Sequence, residues 1–370
     1  MPFIRTQFQE IASPSHLQPL GLVQLLDWTE ATLNRVNEDE FFKRFNDTDA
    51  VQYFHEPFLE AFDPDLREEL GVWYTPHEVV TYTVARVDKA LRDDLGLADG
   101  LASEQVYILD PCCGTGAFIA AVPRKIDGNL ASKGLGDLRG QMVKKAALTR
   151  VFGFEIMPAP FVVAHLQVGL ALTALGAALG SNESKPGIEA ERPKIYITNA
   201  CTGWEPYDAK PQPSLDLEQE RDAADAIKQK SPILVIIGNP PYNGYAGVAE
   251  SKEQRDLSKA YRKVKKVRKP EGQGLNDFYV RFFRMAEQRI AAKTGQGIVS
   301  LITNHSWLTG RSFTGMREQL MNGFDVIRLD CLNGDKFATG KTTPSGDPDL
   351  SIFSTEQNRD GTRLEPRLQR

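Results

Sequence analysis

Cysteine is scarce in this chain: four among 370 residues, at positions 112, 113, 201 and 331. They form no Cys-x-x-Cys pair and stand near no histidine at zinc spacing. A disulfide-stapled scaffold and a zinc ribbon are thereby excluded, no metal site is expected, and the thiols are those of a reducing compartment. No apolar run reaches the roughly 18–20 residues that a bilayer requires. The most apolar stretch, Phe161 to Leu179, is interrupted by His165, Gln167 and Thr173. The N-terminus, Met1-Pro2-Phe3-Ile4-Arg5, lacks the basic and then apolar layout of a signal peptide. A soluble, cytoplasmic protein without a membrane partner is expected. Two nucleotide signatures are missing as well. Ile119 stands where a dinucleotide fingerprint needs its third glycine, and Asp335 stands where a Walker loop ending in Gly340-Lys341-Thr342 needs its first. No internal repeat is visible.

What is present is an ordinary globular composition, 41% hydrophobic and 25% charged, which excludes wholesale disorder. Residues 1–70 read as a helical, acidic N-terminal subdomain, with apolar residues at helical intervals such as Phe41, Phe42 and Phe45. From about residue 71 to 358 short apolar strands alternate with helices. Strands are predicted at Val106–Leu109, Val151–Phe154, Lys194–Ile197, Ile233–Ile237, Ile298–Ile302, Val326–Leu329 and about Asp349–Ser354. Helices are predicted after Thr75-Pro76, at Ala117–Val122, Pro158–Leu179, Asp277–Ala292 and Phe313–Met321. Segments 128–140, 181–193, 203–231 and 243–275 read as irregular, and 359–370 as a polar tail. Such alternation predicts an α/β fold, a Rossmann-like, mainly parallel sheet with helices on both faces. Ligands of such sheets bind at the carboxyl ends of strands, and every unusual motif here falls at such an end.

The first motif, Asp110-Pro111-Cys112-Cys113-Gly114-Thr115-Gly116-Ala117-Phe118, sits between a strand and a helix. Glycines permit a tight turn and close approach of a ligand, and the helix start offers free N–H groups. The Asp110 carboxylate suits a cationic amino group. Glu155, ending the next strand, is placed to accept two ribose hydroxyls. Together they suit a nucleoside carrying an amino acid, although a lone Gly-x-Gly turn often does no more than pack helix on strand. The second motif, Gly238-Asn239-Pro240-Pro241-Tyr242, follows the most apolar strand. Consecutive prolines stiffen the loop and remove two N–H donors. An Asn amide oxygen and a proline carbonyl can accept both hydrogens of one –NH₂ group, with Tyr242 as an aromatic platform. Alone, the loop also reads as a rigid strand exit.

These two motifs closely resemble signatures of S-adenosylmethionine-dependent N6-adenine DNA methyltransferases. Tyr74-Thr75-Pro76 resembles a third signature, and its place before the glycine turn matches the gamma-class order. The stretch from about Val51 to Val80 resembles the entry to the methylase region of single-polypeptide restriction–modification enzymes. The resemblance implies the class I methyltransferase fold and a methyl transfer from S-adenosylmethionine to the N6 amine of a flipped-out adenine, leaving S-adenosylhomocysteine. It implies a cofactor site of Tyr74, Thr75, Pro76, Asp110, Cys112, Gly114, Gly116, Phe118, Glu155, Ile156 and Asn199. Asn199 replaces a frequent Asp, and its side-chain oxygen can still accept the adenine amino group. Asn239, Pro240, Pro241 and Tyr242 match the catalytic loop, and Asn304, Trp307 and Phe337 match the walls of the target-base pocket. Restriction–modification or a related phage-defence system is the implied setting.

The net charge of −5 conceals a local asymmetry. Between Lys252 and Lys269 nine bases face two acids, a strip of +7 just beyond the catalytic loop. Lysine runs are often only solvated faces. The position of this one assigns Lys259, Arg262, Lys263, Lys265, Lys266, Arg268 and Lys269 to the phosphate backbone of double-stranded DNA. Protein-glutamine or RNA methylation, and a non-catalytic scaffold, remain alternatives. The resembling enzymes carry a target recognition domain after this region. The expectation is that recognition comes from a domain or subunit outside this chain, as would nuclease or translocase parts.

Overall fold

The computed structural model describes residues 14–37, 75–134, 136, 138–180, 191–205, 215–242 and 252–332. In chain order its elements are α1 (Leu22–Leu33), α2 (His77–Asp93), β1 (Tyr107–Asp110), α3 (Ala117–Ala131), α4 (Leu138–Thr149), β2 (Val151–Glu155), α5 (Pro158–Ala174), β3 (Lys194–Ile197), α6 (Leu215–Lys230), β4 (Ile233–Gly238), α7 (Lys252–Ala260), α8 (Phe278–Glu287), β5 (Ile298–Leu301) and α9 (Thr314–Gly323). A π-helical stretch, Gln288–Thr294, prolongs α8. The five strands form one parallel sheet in the order β3-β2-β1-β4-β5.

The strands read as continuous apolar runs because both faces of the sheet are covered. β2 and β4 are buried at every residue. Successive side chains serve opposite faces. Ile108, Ile195, Val235 and Ile237 join a core with α2, α3, α4 and α5. Leu109, Phe152, Phe154, Tyr196 and Ile236 join a second core with α6, α7 and α8. A third, smaller cluster sits beside the segments that follow β4 and β5. There Tyr279 and Val280 of α8 meet Met316 and Leu320 of α9, with Tyr261 and Trp307.

The parallel α/β sheet expected from the alternation is the one observed. Three details differ. Segment 203–231 was expected to be irregular, yet it contains α6. That helix hides its packing face from a hydrophobic reading, because Glu220, Ala224 and Lys228 are its buried residues. Segments 128–140 and 243–275 likewise contain the end of α3, the start of α4, and α7. Val326–Leu329 forms no strand. It runs without a ladder partner among the described residues, and Val326, Ile327 and Leu329 are exposed. Two ion pairs, Arg86–Asp330 and Arg328–Asp94, lay this segment along α2 instead. The expected strand near Asp349–Ser354, the tail 359–370 and residues 1–13 and 38–70 of the N-terminal subdomain lie outside the described residues.

The sheet order reverses direction at β1, so β1 and β4 flank the crevice where such sheets hold ligands. Their ends touch. A Cβ on Gly238 would lie 2.7 Å from Asp110 Oδ1 and 3.1 Å from Cys112 Sγ. Glycine is therefore a packing requirement at the end of β4. Gly238→Ala is expected to lower stability by about 1–3 kcal/mol through overpacking. Thermal and urea melts measure this, and a loss well under 0.5 kcal/mol would contradict the contact.

Candidate active site

Four strand ends supply the site. Asp110 ends β1 and is buried. Its Oδ1 accepts the Cys112 N–H at 3.0 Å, and its Oδ2 is buried with no partner. Burial pushes this carboxyl up to about 7, only partly offset by the Cys112 N–H and thiol, with the Glu155 charge adding to the rise. The chain then turns through Gly114 and Gly116, both at positive φ. Gly116 lies against α5, where a Cβ would come 3.1 Å from Ala164 Cα, and it leads directly into α3. Open space surrounds the missing Cβ of Gly114, so a ligand can approach the turn. Phe118 is buried in the first core, so it supports the turn from beneath. Cys112 is half-buried, and burial lifts its thiol well above the ordinary range, as it does for Cys113. None of the four cysteines forms a disulfide.

Glu155 ends β2 beside this turn. Its Oε2 accepts the Gly114 N–H at 2.9 Å, and its Oε1 accepts Ile156 and Met157 N–H at 2.9 and 2.8 Å. Burial raises this carboxyl and the three N–H groups oppose that rise. The neighbouring Ile156 is 61% exposed, an uncovered apolar side chain at the rim. At the end of β3, Asn199 Oδ1 accepts the Cys201 N–H at 2.9 Å. That oxygen keeps a second lone pair for a ligand's amino group, and Nδ2 adds a donor. Lys228, a buried cation of α6, holds this loop from below by donating to Thr198 Oγ1 at 2.6 Å and to the Asn199 carbonyl at 3.0 Å. Sequence reasoning missed Lys228, since no motif marks it.

Asn239 follows β4. Its Nδ2 donates to Thr75 Oγ1 at 3.1 Å, which joins the segment before α2 to the loop after β4. Its Oδ1 lies 2.6 Å from the Tyr242 hydroxyl, which is also 2.7 Å from the Ile302 carbonyl after β5. One hydroxyl proton therefore has two acceptors. When it turns to Ile302, Asn239 Oδ1 becomes available to another donor without stranding the hydroxyl. Pro240 is buried and Pro241 half-buried, as a stiff strand exit requires. The Tyr242 ring packs against Tyr279 of α8 at 6.2 Å, and burial raises its hydroxyl well above the ordinary range. Tyr279 carries no sequence motif and was also missed.

The structure thus brings together Thr75, Asp110, Gly114, Glu155, Asn239 and Tyr242. Pro76 sits beside Thr75 as the N-cap of α2. On the far side of the loop after β4, Asn304 is exposed and its Oδ1 accepts the Ser306 N–H at 3.0 Å. Trp307 is buried in the third cluster, its indole N–H donating to Thr303 Oγ1 and its ring 5.5 Å from Phe283. Tyr74 and Phe337 lie outside the described residues. Lys259, Arg262, Lys263, Lys265, Lys266, Arg268 and Lys269 are all exposed. Lys259 pairs with Asp256 and Arg268 with Glu271, while Arg262 donates to Asn276. Among the described residues no helix is long and apolar enough to cross a membrane.

The sequence profile of the Eco57I restriction-modification methylase family matches residues 149–337, just over half of the chain. That of the N-6 DNA methylase family matches residues 46–174. No curated protein matches. Several solved structures do. The ATP-dependent Type ISP restriction-modification enzyme LlaBIII bound to DNA is 25% identical with a TM-score of 0.55, over 68% of this chain and 16% of that one. The DrdV–DNA complex is 22% identical with a TM-score of 0.59, over 87% of this chain and 28% of that one. A nuclease-deletion mutant of the Type ISP enzyme LlaGI with a DNA substrate mimic is 24% identical with a TM-score of 0.54, over 68% and 20%. The chain thus spans less than a third of the length of each.

Thr75→Val keeps the side-chain volume but removes the acceptor of Asn239 Nδ2. The lost bond is worth roughly 0.5–1.5 kcal/mol, so the Asn239 side-chain amide protons should exchange with water about 2- to 12-fold faster. Side-chain amide NMR, assigned by loss of the signal in Asn239→Asp, measures this. Equal exchange in the two proteins would disprove the bond.

Proposed function

Because the chain belongs to the Eco57I restriction-modification methylase family, we propose that it transfers a methyl group from S-adenosylmethionine to the N6 amine of an adenine swung out of duplex DNA. Its setting is the modification side of a restriction–modification or related phage-defence system. The observation that carries this reading is the Asn239 amide at the end of β4, with an acceptor oxygen that the Tyr242 hydroxyl can vacate.

The residues present fit the cofactor. Asp110 Oδ2 is a buried acceptor with no partner, which suits a cationic amino group, and the turn at Gly114 is open above it. Glu155 Oε2 takes one N–H and retains room for a ribose hydroxyl. Ile156 offers an apolar surface to a planar ring, and Asn199 Oδ1 a second lone pair to the adenine amino group. When bound, the cofactor supplies a methyl group on a sulfonium. The chain supplies position and charge compensation. Asn239 Oδ1 and the Pro240 carbonyl accept the two hydrogens of the target amine and draw its lone pair out of conjugation. They then stabilise the positive charge that grows on nitrogen, where preorganised acceptors act most strongly. Extruding the base costs a few kcal/mol of pairing and stacking. The exposed strip Lys259–Lys269 offers cations to the phosphates on either side.

Selection of the DNA sequence is assigned to a recognition domain or subunit outside residues 1–370, with any nuclease or translocase parts. The limited share of the matched chains that this one spans supports that assignment. Four cysteines without a disulfide suit a cytoplasmic setting.

Labelled methyl transfer, measured in parallel to DNA, RNA and protein, tests the reading. DNA adenine is the expected acceptor, and Asn239→Ala should lower turnover by roughly 10²–10³-fold. Full activity in that variant would refute the mechanism, and label in protein or RNA would refute the substrate. The Asp110 carboxyl adds a pH dependence. A cation at Oδ2 favours the ionised form, whereas burial by itself holds the carboxyl at about 7. Cofactor affinity should therefore rise as pH increases from 5.5 to 7, by up to about tenfold per unit, and level off above. Calorimetry that finds flat affinity across this range would remove Asp110 from the cofactor site.

A further inference from the structure

The basic strip carries five cations in seven residues, Lys263, Lys265, Lys266, Arg268 and Lys269, all exposed. It has neither helix nor ladder there, and its like charges favour a loose, spread chain. Its path is nevertheless defined: beyond the turn that the Lys263 N–H closes onto the Ala260 carbonyl and the Arg268–Glu271 pair, the restraints come from α9 and the turn before it. Glu318 has little exposed surface as a residue, and its Oε2 accepts the Lys265 N–H at 2.9 Å while Oε1 accepts the Lys266 N–H at 2.6 Å. Thr314 Oγ1 donates to the Arg268 carbonyl at 2.8 Å, and Ser312 Oγ to the Glu271 carbonyl. At the near end, Gln319 donates to the Ala260 carbonyl at 2.7 Å. Every one of these bonds grips backbone. The ammonium groups of Lys263, Lys265, Lys266 and Lys269 make no ion pair among the described residues. The same helix holds the loop after β5, because Arg317 Nη1 donates to the carbonyls of Trp307 and Gly310 at 2.6 and 3.0 Å.

We propose that Glu318 is the positioning residue of a DNA-phosphate-binding loop, Lys263–Lys269, and that α9 brackets this loop to the segment after β5. The proposal rests on the DNA reading above. A carboxylate used in this way spends its charge on two N–H groups and leaves the lysine side chains turned outward. Its two oxygens match two successive backbone donors, which is the arrangement by which consecutive N–H groups hold an anion. The two N–H groups hold the carboxyl below the usual carboxylate range.

The role has a signature that charge alone does not produce. Removing a negative charge beside a basic strip strengthens binding to a polyanion by simple electrostatics. If Glu318 orders the loop, the same change weakens binding, because the complex must then bear the cost of ordering a mobile segment. Glu318→Gln keeps the shape but sets an –NH₂ against a backbone N–H. Anisotropy titrations with a short DNA duplex over a range of salt should show Glu318→Gln binding roughly 3- to 10-fold more weakly at every salt concentration. Amide exchange at Lys265 and Lys266 should quicken, while that of Val235–Ile237 in β4 stays slow and certifies the fold. Thr314→Val, which removes only the bond to Arg268, should weaken binding less. The triple variant Lys263→Gln, Lys265→Gln, Lys266→Gln should flatten the salt slope by about 2–3. Tighter or equal DNA binding by Glu318→Gln, or unchanged exchange at Lys265 and Lys266, overturns the positioning role. An unchanged slope in the triple variant overturns it differently, by removing the strip from the DNA reading itself.

Discussion

The contact on which the site depends is the meeting of two strand ends at the point where the sheet order reverses. Gly238 closes β4 directly against Asp110 and Cys112 at the end of β1, with no room for a side chain between them. Chains leaving neighbouring parallel strands at such a point pass to opposite faces, and a crevice opens between them. Here that crevice receives the glycine turn from one side and the Asn-Pro-Pro-Tyr loop from the other. Thr75 holds the Asn239 loop, and Glu155 fastens the turn to β2 through Gly114. The proposed cofactor-side and target-side groups are therefore two hydrogen-bonded sets that meet where Gly238 packs on Asp110.

Polar groups buried around this assembly divide into two kinds. Glu155 and Lys228 are satisfied by their neighbours: Glu155 accepts three backbone N–H groups, and Lys228 donates to the Thr198 hydroxyl and the Asn199 carbonyl and pairs with Asp225. Such groups fix loops, and their satisfaction offsets the cost of burying charge. Asp110 is of the other kind. One oxygen is held and the other is buried without a partner, a state that a native interior tolerates at few positions. An acceptor in that state is open to a donor from a bound molecule, which is the role proposed for Asp110 above.

The parallel sheet and the ends of its strands were legible because apolar runs of four to six residues alternate with helical patterns, and because special residues cluster where the strands stop. The glycine turn, Glu155 and the Asn239 loop were legible for the same reason, since each violates ordinary strand or helix chemistry. α6 was not. Its inner face uses Glu220 and Lys228, whose charges are paired with Arg192 and with the loop after β3, so a hydrophobic period never appears. Val326–Leu329 misled in the opposite sense: it has the composition of a strand but no neighbour to pair with among the described residues. The partners of single side chains were also beyond reach. Nothing in the spacing of Thr75 and Asn239, 164 positions apart, declares a hydrogen bond. The engagement of Asn199 Oδ1 by Cys201 depends on a loop conformation that composition does not encode.

The Tyr242 hydroxyl, placed between Asn239 Oδ1 and the Ile302 carbonyl at nearly equal distance, bears on timescale. Moving its proton from one acceptor to the other requires only rotation about a single C–O bond, while the ring stays packed on Tyr279. Motions of that size belong to the picosecond-to-nanosecond range, whereas loop and domain rearrangements take microseconds or longer. Releasing the Asn239 acceptor is thus a fast pre-equilibrium. The pace at which the site fills is set by whatever has to travel to it.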